Sequence, residues 1–238
     1  MTIRAVLWDI DDTIFDFGRA DTEGMFQHLR TEGLSGGFTS AGQALGRWKE
    51  ITALHWARFT AGEVDWEGQR RDRVRAFSGQ RLSDEAADAW FGRYLVHFRA
   101  ASSLFPDALP ALDALGEYRH GALSNSSLAV QEPRLAALGV RDRFETLHCG
   151  ADLGVAKPVA EAFHIACRAL RLPPQEVAYV GDEPDIDARG AAEAGLLGIW
   201  LDRADDGGRP ELTRITGLHQ LPALLRGDTR FGAPDTFG

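Results

Sequence analysis

Cysteine is scarce in this chain: among 238 residues there are only two, Cys149 and Cys167. They form no CxxC pair, and nothing in their placement predicts a disulfide framework. Free cysteines are among the most buried side chains of globular proteins. We therefore expect both thiols to pack as small apolar groups in a reducing compartment.

Long hydrophobic runs and an excess of positive charge are also missing. No stretch approaches the roughly 20 consecutive apolar residues that a membrane-spanning helix needs, and the first residues lack the basic and apolar regions of a signal peptide. The formal net charge of −9 argues against nucleic acid polymers, whose binding relies on Lys and Arg. We expect a cytoplasmic protein that does not bind membranes, although locally positive charge could still hold a small phosphate.

What the sequence does contain is an alternation of short apolar runs and helical patterns. The apolar runs cover residues 3–10, 120–123, 144–149, 177–180 and 197–201. The helical patterns cover residues 108–115, 128–138, 159–170 and 186–194. Short apolar runs of this kind are typical of strands buried on both faces of a parallel sheet. The alternation predicts an open, doubly wound α/β sheet, in which ligands bind beyond the carboxyl ends of the strands.

Residues 17–100 interrupt the alternation with long helical stretches at 20–29, 41–58 and 84–98. We interpret them as an inserted helical domain, with a loop at 33–42 inside it. The predicted core then comprises residues 1–16 and 101–225, and residues 226–238 are expected to form a flexible tail.

An acidic cluster, Asp9-Ile10-Asp11-Asp12-Thr13, follows the first predicted strand. One acidic residue here could simply cap a helix, since Asp and Thr are favoured at helix N-termini. Three acids within four positions repel one another and need a cation to stay ionised together. The cluster therefore favours a metal or phosphate site over a simple helix cap.

Polar groups follow three later runs as well. Ser124 and Asn125 come after the second strand, where hydroxyl and backbone N–H groups can hold an anion, although the same residues also make common turns. Lys157 precedes a helix; it could be an ordinary surface lysine, and the Pro after it rules out a nucleotide-binding P-loop. Asp182 and Asp187 follow the fourth strand and offer the hard oxygen ligands that Mg²⁺ prefers.

Together these elements resemble the motifs of the haloacid dehalogenase superfamily, which occur in this order at the strand ends of a Rossmann-like core. The four matching segments are Asp9-x-Asp11-x-Thr13, Ser124, Lys157-Pro158 and Gly181-Asp182-xxxx-Asp187. The match spans nearly the whole chain, and the helical insertion resembles a C1-type cap. Residues 7–17 are especially similar to capped phosphatases that include nucleoside monophosphate phosphatases, although Asp12 stands where Gly is commoner.

The resemblance implies a Mg²⁺-dependent phosphatase that acts on a small phosphorylated metabolite. Asp9 is then the nucleophile that forms an aspartyl-phosphate, and Asp11 is the general acid and base. The implied Mg²⁺ ligands are Asp9, the Asp11 backbone carbonyl and Asp182. The implied phosphate-binding groups are Ser124, Asn125 and Lys157, of which Lys157 also counts as catalytic. The implied supporting residues are Thr13 and Asp187, where Asp187 orients either Lys157 or a Mg²⁺-bound water, and Asp185 is the alternative second acid of the fourth motif.

Three other functions remain as alternatives at this point. The C–halogen hydrolases of the superfamily work without Mg²⁺ and lack a carboxylate at the position of Asp11, so Asp11 disfavours dehalogenation. A phosphomutase uses the same core, and a catalytically silent phosphate-binding protein could share the fold. Candidates for substrate selection in the insertion are Phe17, Arg19, Trp48, Trp56 and Arg58, each of which would also suit an ordinary core or surface position.

Overall fold

A computed structural model describes residues 2–33 and 38–227 of the chain. The chain divides into two compact units, one formed by Met1–Asp16 with Ser103–Gly238 and the other by Phe17–Ser102. We call them the sheet unit and the helical unit. Residues 34–37 of the predicted loop and residues 228–238 of the predicted tail lie outside the described residues.

The described elements follow one another in the order below. They are β1 (Ala5–Trp8), α1 (Phe17–Glu32), α2 (Ala41–Thr60), α3 (Trp66–Ser78), α4 (Asp84–Ala101), α5 (Ala108–Ala114), β2 (Arg119–Ser124), α6 (Leu128–Ala137), β3 (Thr146–Cys149), α7 (Gly150–Leu153), α8 (Ala160–Ala169), β4 (Val177–Gly181), α9 (Gly190–Glu193), β5 (Leu197–Leu201), β6 (Thr213–Ile215) and α10 (Leu221–Arg226). Short 3₁₀ turns cover Arg141–Arg143, Pro174–Glu176 and Leu218–Gln220, and a π-helix covers Pro184–Arg189.

The six strands form one sheet in the order β3-β2-β1-β4-β5-β6, and all five neighbouring pairs are parallel. This is a Rossmann-like order: the chain crosses from β3 at one edge to β4 on the other side of β1, so the strand order reverses between β1 and β4. All residues of β1 and β4 are buried, as expected for central parallel strands. The predicted doubly wound α/β core is confirmed.

Several boundaries differ from the prediction for physical reasons. The apolar run at 3–10 forms a strand only over Ala5–Trp8, because the chain then folds back so that the Ile10 carbonyl accepts from the amides of Ile14 and Phe15. Strand β6 was not predicted, since it has three residues, of which only one is buried. Helix α3 was not predicted either, because its sequence is dominated by charged residues.

The predicted helix at 186–194 is a π-helix followed by α9. The π-helix lies close against β5 at Gly198, where an added Cβ would stand 2.0 Å from the carbonyl oxygen of Ala188. Glycine is required at such a close backbone approach. Helical segments with i+5 hydrogen bonds are rare and frequently occur at functional sites.

The helical unit has its own polar interaction inside an aromatic core. Trp48 is fully buried, and its indole N–H donates to the Asp21 carboxylate at 2.9 Å. The Tyr94 hydroxyl donates to the same oxygen at 2.6 Å. Trp48, a candidate for substrate selection, therefore stabilises the core of this unit. Among the described helices, none is long and apolar enough to cross a membrane.

Candidate active site

The ends of β1 and β4 bring two acidic side chains to the point where the strand order reverses. Asp9 follows β1, and its amide donates to the carbonyl of Val180 in β4 at 2.9 Å. Asp182 follows the last residue of β4. Among the described residues, the carboxylates of Asp9, Asp182 and Asp187 lie within 4.8 Å of one another. The sheet topology thus assembles a carboxylate cluster where α/β folds bind their ligands.

Lys157 lies at the centre of this cluster and donates all three of its ammonium hydrogens to acceptors within the protein. Its Nζ donates to Asp9 Oδ1 at 2.7 Å, to Asp187 Oδ1 at 2.7 Å and to the Tyr179 hydroxyl at 2.6 Å. The Lys157 side chain is only 3% exposed, and an ammonium group has three donors in all. Lys157 therefore fixes the Asp9 carboxylate, and it is not the surface lysine that the sequence left open.

The buried cluster holds three acidic side chains, those of Asp9, Asp182 and Asp187, and one basic side chain, that of Lys157. Burial raises the pKa of Asp9 to about 7 against the opposing effect of Lys157. Burial, followed by repulsion from Asp9 and Asp187, raises the pKa of Asp182 to about 9. Burial lowers the pKa of Lys157, but the Asp187 and Asp9 carboxylates together hold it well above its ordinary value. The acids outnumber the one lysine, so an additional cation is needed to keep them ionised together.

The donor set fits Mg²⁺. The Asp9 and Asp182 carboxylates are hard oxygen ligands of the kind that this ion prefers, and Mg²⁺ keeps several waters in its coordination. The Asp182 carboxylate accepts a long hydrogen bond of 3.4 Å from the Thr13 hydroxyl. The Trp200 indole N–H donates to the Asp182 backbone carbonyl at 3.0 Å. Asp182 is thus held through its backbone while its carboxylate faces Asp9.

Asp187 is engaged on both oxygens by the protein. Oδ1 accepts from Lys157, and Oδ2 accepts from the backbone N–H of Glu183 at 3.0 Å. The π-helix that carries it presses its carboxyl group against Gly181, where an added Cβ would lie 2.3 Å from Asp187. This arrangement favours the orientation of Lys157, which is one of the two roles that the resemblance implied for Asp187.

The close contact at Gly181 predicts that Gly181→Ala will impair catalysis. The new methyl group must displace the Asp187 carboxyl, and Lys157 would then lose one of its two carboxylate partners. We expect kcat/KM to fall by at least about tenfold, because displacements near 1 Å at a reacting site can cost up to about 10²-fold. A matched control is Gly92→Ala in α4, where an added Cβ meets nothing within 4 Å; equal activity in the two variants would contradict the prediction.

Ser124, the last residue of β2, and Asn125, which follows it, differ in their contacts. The Ser124 hydroxyl is buried at the strand end and accepts from the amide of Ser126 at 3.2 Å. The Asn125 side chain instead bonds the backbone of Lys157 twice, with Oδ1 accepting from its N–H at 2.8 Å and Nδ2 donating to its carbonyl at 2.9 Å. The Asn125 amide therefore positions Lys157, and phosphate binding at residue 125 stays a prediction for its backbone N–H.

Asp11 is directed to a different set of partners. Its carboxylate contacts Gln131 and Arg134 of α6, two residues that the sequence analysis missed. Tyr179 was missed as well, because an aromatic residue inside a strand is typical of the core, and only its hydroxyl contact with Lys157 distinguishes it. Its hydroxyl also donates to the Leu123 carbonyl at 2.9 Å. Apart from having a polar group, Gln131, Arg134 and Tyr179 have no feature in the sequence that marks them as site residues.

Comparison with known proteins agrees with the geometry. The model of the haloacid dehalogenase-like hydrolase family matches residues 3–195. The chain is 30% identical to a phosphoserine phosphatase of Thermus thermophilus, over 96% of this chain and 97% of that protein. It is 25% identical to a pyrimidine 5′-nucleotidase of Escherichia coli, over 92% and 96% of the two chains.

A solved structure of similar fold is a HAD hydrolase of Bacillus subtilis, determined with bound magnesium. The two structures superpose with a TM-score of 0.78 at 21% sequence identity, and the match covers 94% of this chain and 99% of that one. At this identity the likeness concerns the fold alone.

Proposed function

This chain belongs to the haloacid dehalogenase-like hydrolase family and is a phosphoric monoester hydrolase, and on that premise we propose a Mg²⁺-dependent reaction through an aspartyl-phosphate on Asp9. The observation that carries the proposal is the buried pair of Asp9 and Lys157 beside Asp182. A nucleophilic carboxylate must be ionised and fixed in direction, and the lysine contributes to both.

The proposed reaction has two displacements at phosphorus. In the first, an oxygen of Asp9 attacks phosphorus, the bond to the leaving alcohol breaks, and Asp11 gives its proton to the leaving oxygen. In the second, Asp11 removes a proton from water, the water oxygen attacks the phosphorus of the aspartyl-phosphate, and the Asp9 carboxylate is released with inorganic phosphate. The two steps restore the protonation state of Asp11.

The proposed cofactor site uses the Asp9 and Asp182 carboxylates and the Asp11 backbone carbonyl. Bound there, Mg²⁺ supplies positive charge that offsets the repulsion between a carboxylate nucleophile and a phosphate dianion. The Ser124 hydroxyl at the end of β2 is the proposed donor to a phosphoryl oxygen. The proposed part of Lys157 is to hold Asp9 and to add local positive charge, since its three hydrogens already have protein acceptors.

The proposed substrate is a small, soluble phosphate monoester, with a nucleoside monophosphate or a sugar phosphate as first candidates. The relatives named above are a phosphoserine phosphatase and a pyrimidine 5′-nucleotidase, and a net charge of −9 repels polyanions. A role of the helical unit as a C1-type cap stays a prediction. The direct test is phosphate release from a panel of phosphorylated metabolites and p-nitrophenyl phosphate, with and without Mg²⁺; no release from any ester would refute the proposed function.

We expect activity to require Mg²⁺. Asp182→Asn should raise the Mg²⁺ concentration for half-maximal rate by at least about tenfold, because mutation of residues that only support the metal ligands already costs about 10–100-fold in metal affinity. A second readout needs no turnover. Mg²⁺ should raise the Tm of the wild type by binding the folded state, and this shift should shrink in Asp182→Asn. Full wild-type activity in excess chelator would contradict the metal requirement.

In chelator alone, Asp182→Asn should be at least as stable as the wild type. The pKa of Asp182 is raised to about 9, which means that folding disfavours its ionised form. An acid of this kind costs stability at pH values above its unfolded pKa, and the cost grows until the folded pKa is reached. The amide removes that cost. A lower Tm for the variant in chelator would show that Asp182 is instead held by interactions that stabilise the metal-free protein.

A further inference from the structure

Helix α6 contacts both oxygens of the Asp11 carboxylate. Gln131 donates from Nε2 to Oδ2 at 2.6 Å, and Arg134 donates from Nη1 to Oδ1 at 2.5 Å. Asp11 and α6 are separated by more than a hundred positions in sequence, so the contact depends on the folded sheet. Each carboxylate oxygen therefore has its own donor, which fixes both the position and the plane of the group.

Gln131 is the buried part of this arrangement, with no exposed surface. Its amide nitrogen donates to Asp11 and also to the Ser124 hydroxyl at 3.3 Å. Its amide oxygen accepts from Arg134 Nη1 at 3.1 Å. One glutamine thus links the proposed acid to the proposed phosphate donor, and a buried amide with all these groups satisfied is rigid.

Arg134 is held from a second side. Its guanidinium lies over the ring of Phe15, 4.5 Å from the ring centroid, and Phe15 is itself fully buried. The Arg134 side chain is 13% exposed. An arginine that is stacked on an aromatic ring and hydrogen-bonded to a carboxylate loses most of its freedom, which distinguishes this pair from an exposed ion pair.

We propose that Gln131 and Arg134 are positioning residues for the general acid, and that together they set where the Asp11 carboxylate stands relative to the Ser124 phosphate donor. The inference rests on the proposed function of Asp11. A general acid acts only within hydrogen-bond reach of the leaving oxygen. Because Gln131 of α6 contacts both side chains, it fixes the distance between the Asp11 carboxylate and the Ser124 hydroxyl. Loss of this link leaves Asp11 chemically intact but misplaced.

The test compares leaving groups of different basicity. Wild type, Gln131→Met and Arg134→Met are assayed with p-nitrophenyl phosphate, phenyl phosphate and an alkyl phosphate, and kcat/KM is measured for each. This quantity reports the steps up to aspartyl-phosphate formation, before Asp11 acts as a base. Methionine matches glutamine in length and keeps the aliphatic part of arginine, although it is shorter than arginine, and it removes the hydrogen-bond donors of both. Circular dichroism and Tm establish that each variant folds.

We expect losses that grow with leaving-group basicity. Both variants should lose less than about threefold with p-nitrophenyl phosphate, whose leaving group needs little protonation, and about 10–100-fold with the alkyl ester, within the 10²–10⁴ range of acid catalysis. Arg134→Lys keeps the charge and should recover part of the alkyl-ester activity. A matched control on the same helix is Glu132→Gln, since Glu132 is exposed and pairs with Arg141; it should behave as wild type.

Two results would overturn the inference in different ways. Equal losses on all esters in the methionine variants, with a leaving-group-dependent loss in Asp11→Asn, would mean that α6 is structural and that Asp11 needs no positioning from it. A uniform loss in Asp11→Asn as well would remove the acid role and the positioning role together. Failure of the proposed function itself is separate, because the wild type would then release no phosphate from any ester.

Discussion

Asp9→Asn should lower kcat by at least about 10³-fold and leave the fold intact. The amide is a poor nucleophile, and loss of a residue at the centre of covalent machinery costs several orders of magnitude. Asparagine keeps the shape of the side chain and an oxygen that can accept the hydrogen bond from Lys157. Initial rates with p-nitrophenyl phosphate, together with thermal unfolding of both proteins, check the two parts of this expectation.

The control for Asp9→Asn is a second aspartate-to-asparagine change in the sheet unit. Asp113 is exposed and pairs with Arg143, so Asp113→Asn should keep wild-type activity. Acid-quenched wild type should carry one phosphate on the peptide that contains Asp9, and the variant should carry none. More than about a hundredth of the wild-type kcat in Asp9→Asn would rule out covalent catalysis at this residue.

Asp11→Asn should slow formation of the aspartyl-phosphate to an extent that depends on the leaving group. An alkoxide departs poorly unless it is protonated, and acid catalysis is worth about 10²–10⁴-fold in that case. The variant should therefore form aspartyl-phosphate very slowly from an alkyl ester and almost normally from p-nitrophenyl phosphate. With the nitrophenyl ester the missing base should then make hydrolysis of the intermediate slow. Rapid-quench measurement should show a burst of one nitrophenolate per active site, followed by slow turnover.

The backbone carbonyl of residue 11 is unchanged by this substitution, so the Mg²⁺ dependence of the burst should match the wild type. Equal loss on the two esters without a burst would show that Asp11 maintains the site and does not transfer the proton. The same variant serves as the reference for the changes on α6, because a positioning effect cannot exceed the effect of removing the acid itself.

The strand ends of the site could be predicted from the sequence because the sheet is parallel. Asp9, Ser124 and Asp182 each follow an apolar run, and the carboxyl ends of neighbouring parallel strands meet at one edge. Their proximity therefore followed from the alternation of strand and helix. Asp12 illustrates a finer point: its φ of 55° lies in the left-handed region, which explains why Gly suits this position and why Asp, which tolerates that region, can replace it.

The contacts within the site could not be predicted in the same way. Gln131 and Arg134 are polar residues on a helix, and from sequence they are indistinguishable from a solvated face. Which of them turns inward depends on the side from which α6 packs against the sheet unit. The π-helix before α9 was equally hidden, since its pattern is that of an ordinary helix and only its backbone hydrogen bonds distinguish it.

The central place of β1 in the sheet affects how the protein can fold during synthesis. β1 is translated before both of its neighbours, which begin at Arg119 and Val177, and the whole helical unit is translated in between. At 5–20 residues per second its first partner is completed roughly 6–24 s later. For that interval an apolar strand has neither edge paired, which is a state prone to aggregation. Yield from cells should therefore depend on translation speed and chaperone supply more strongly than the stability of the finished protein would suggest.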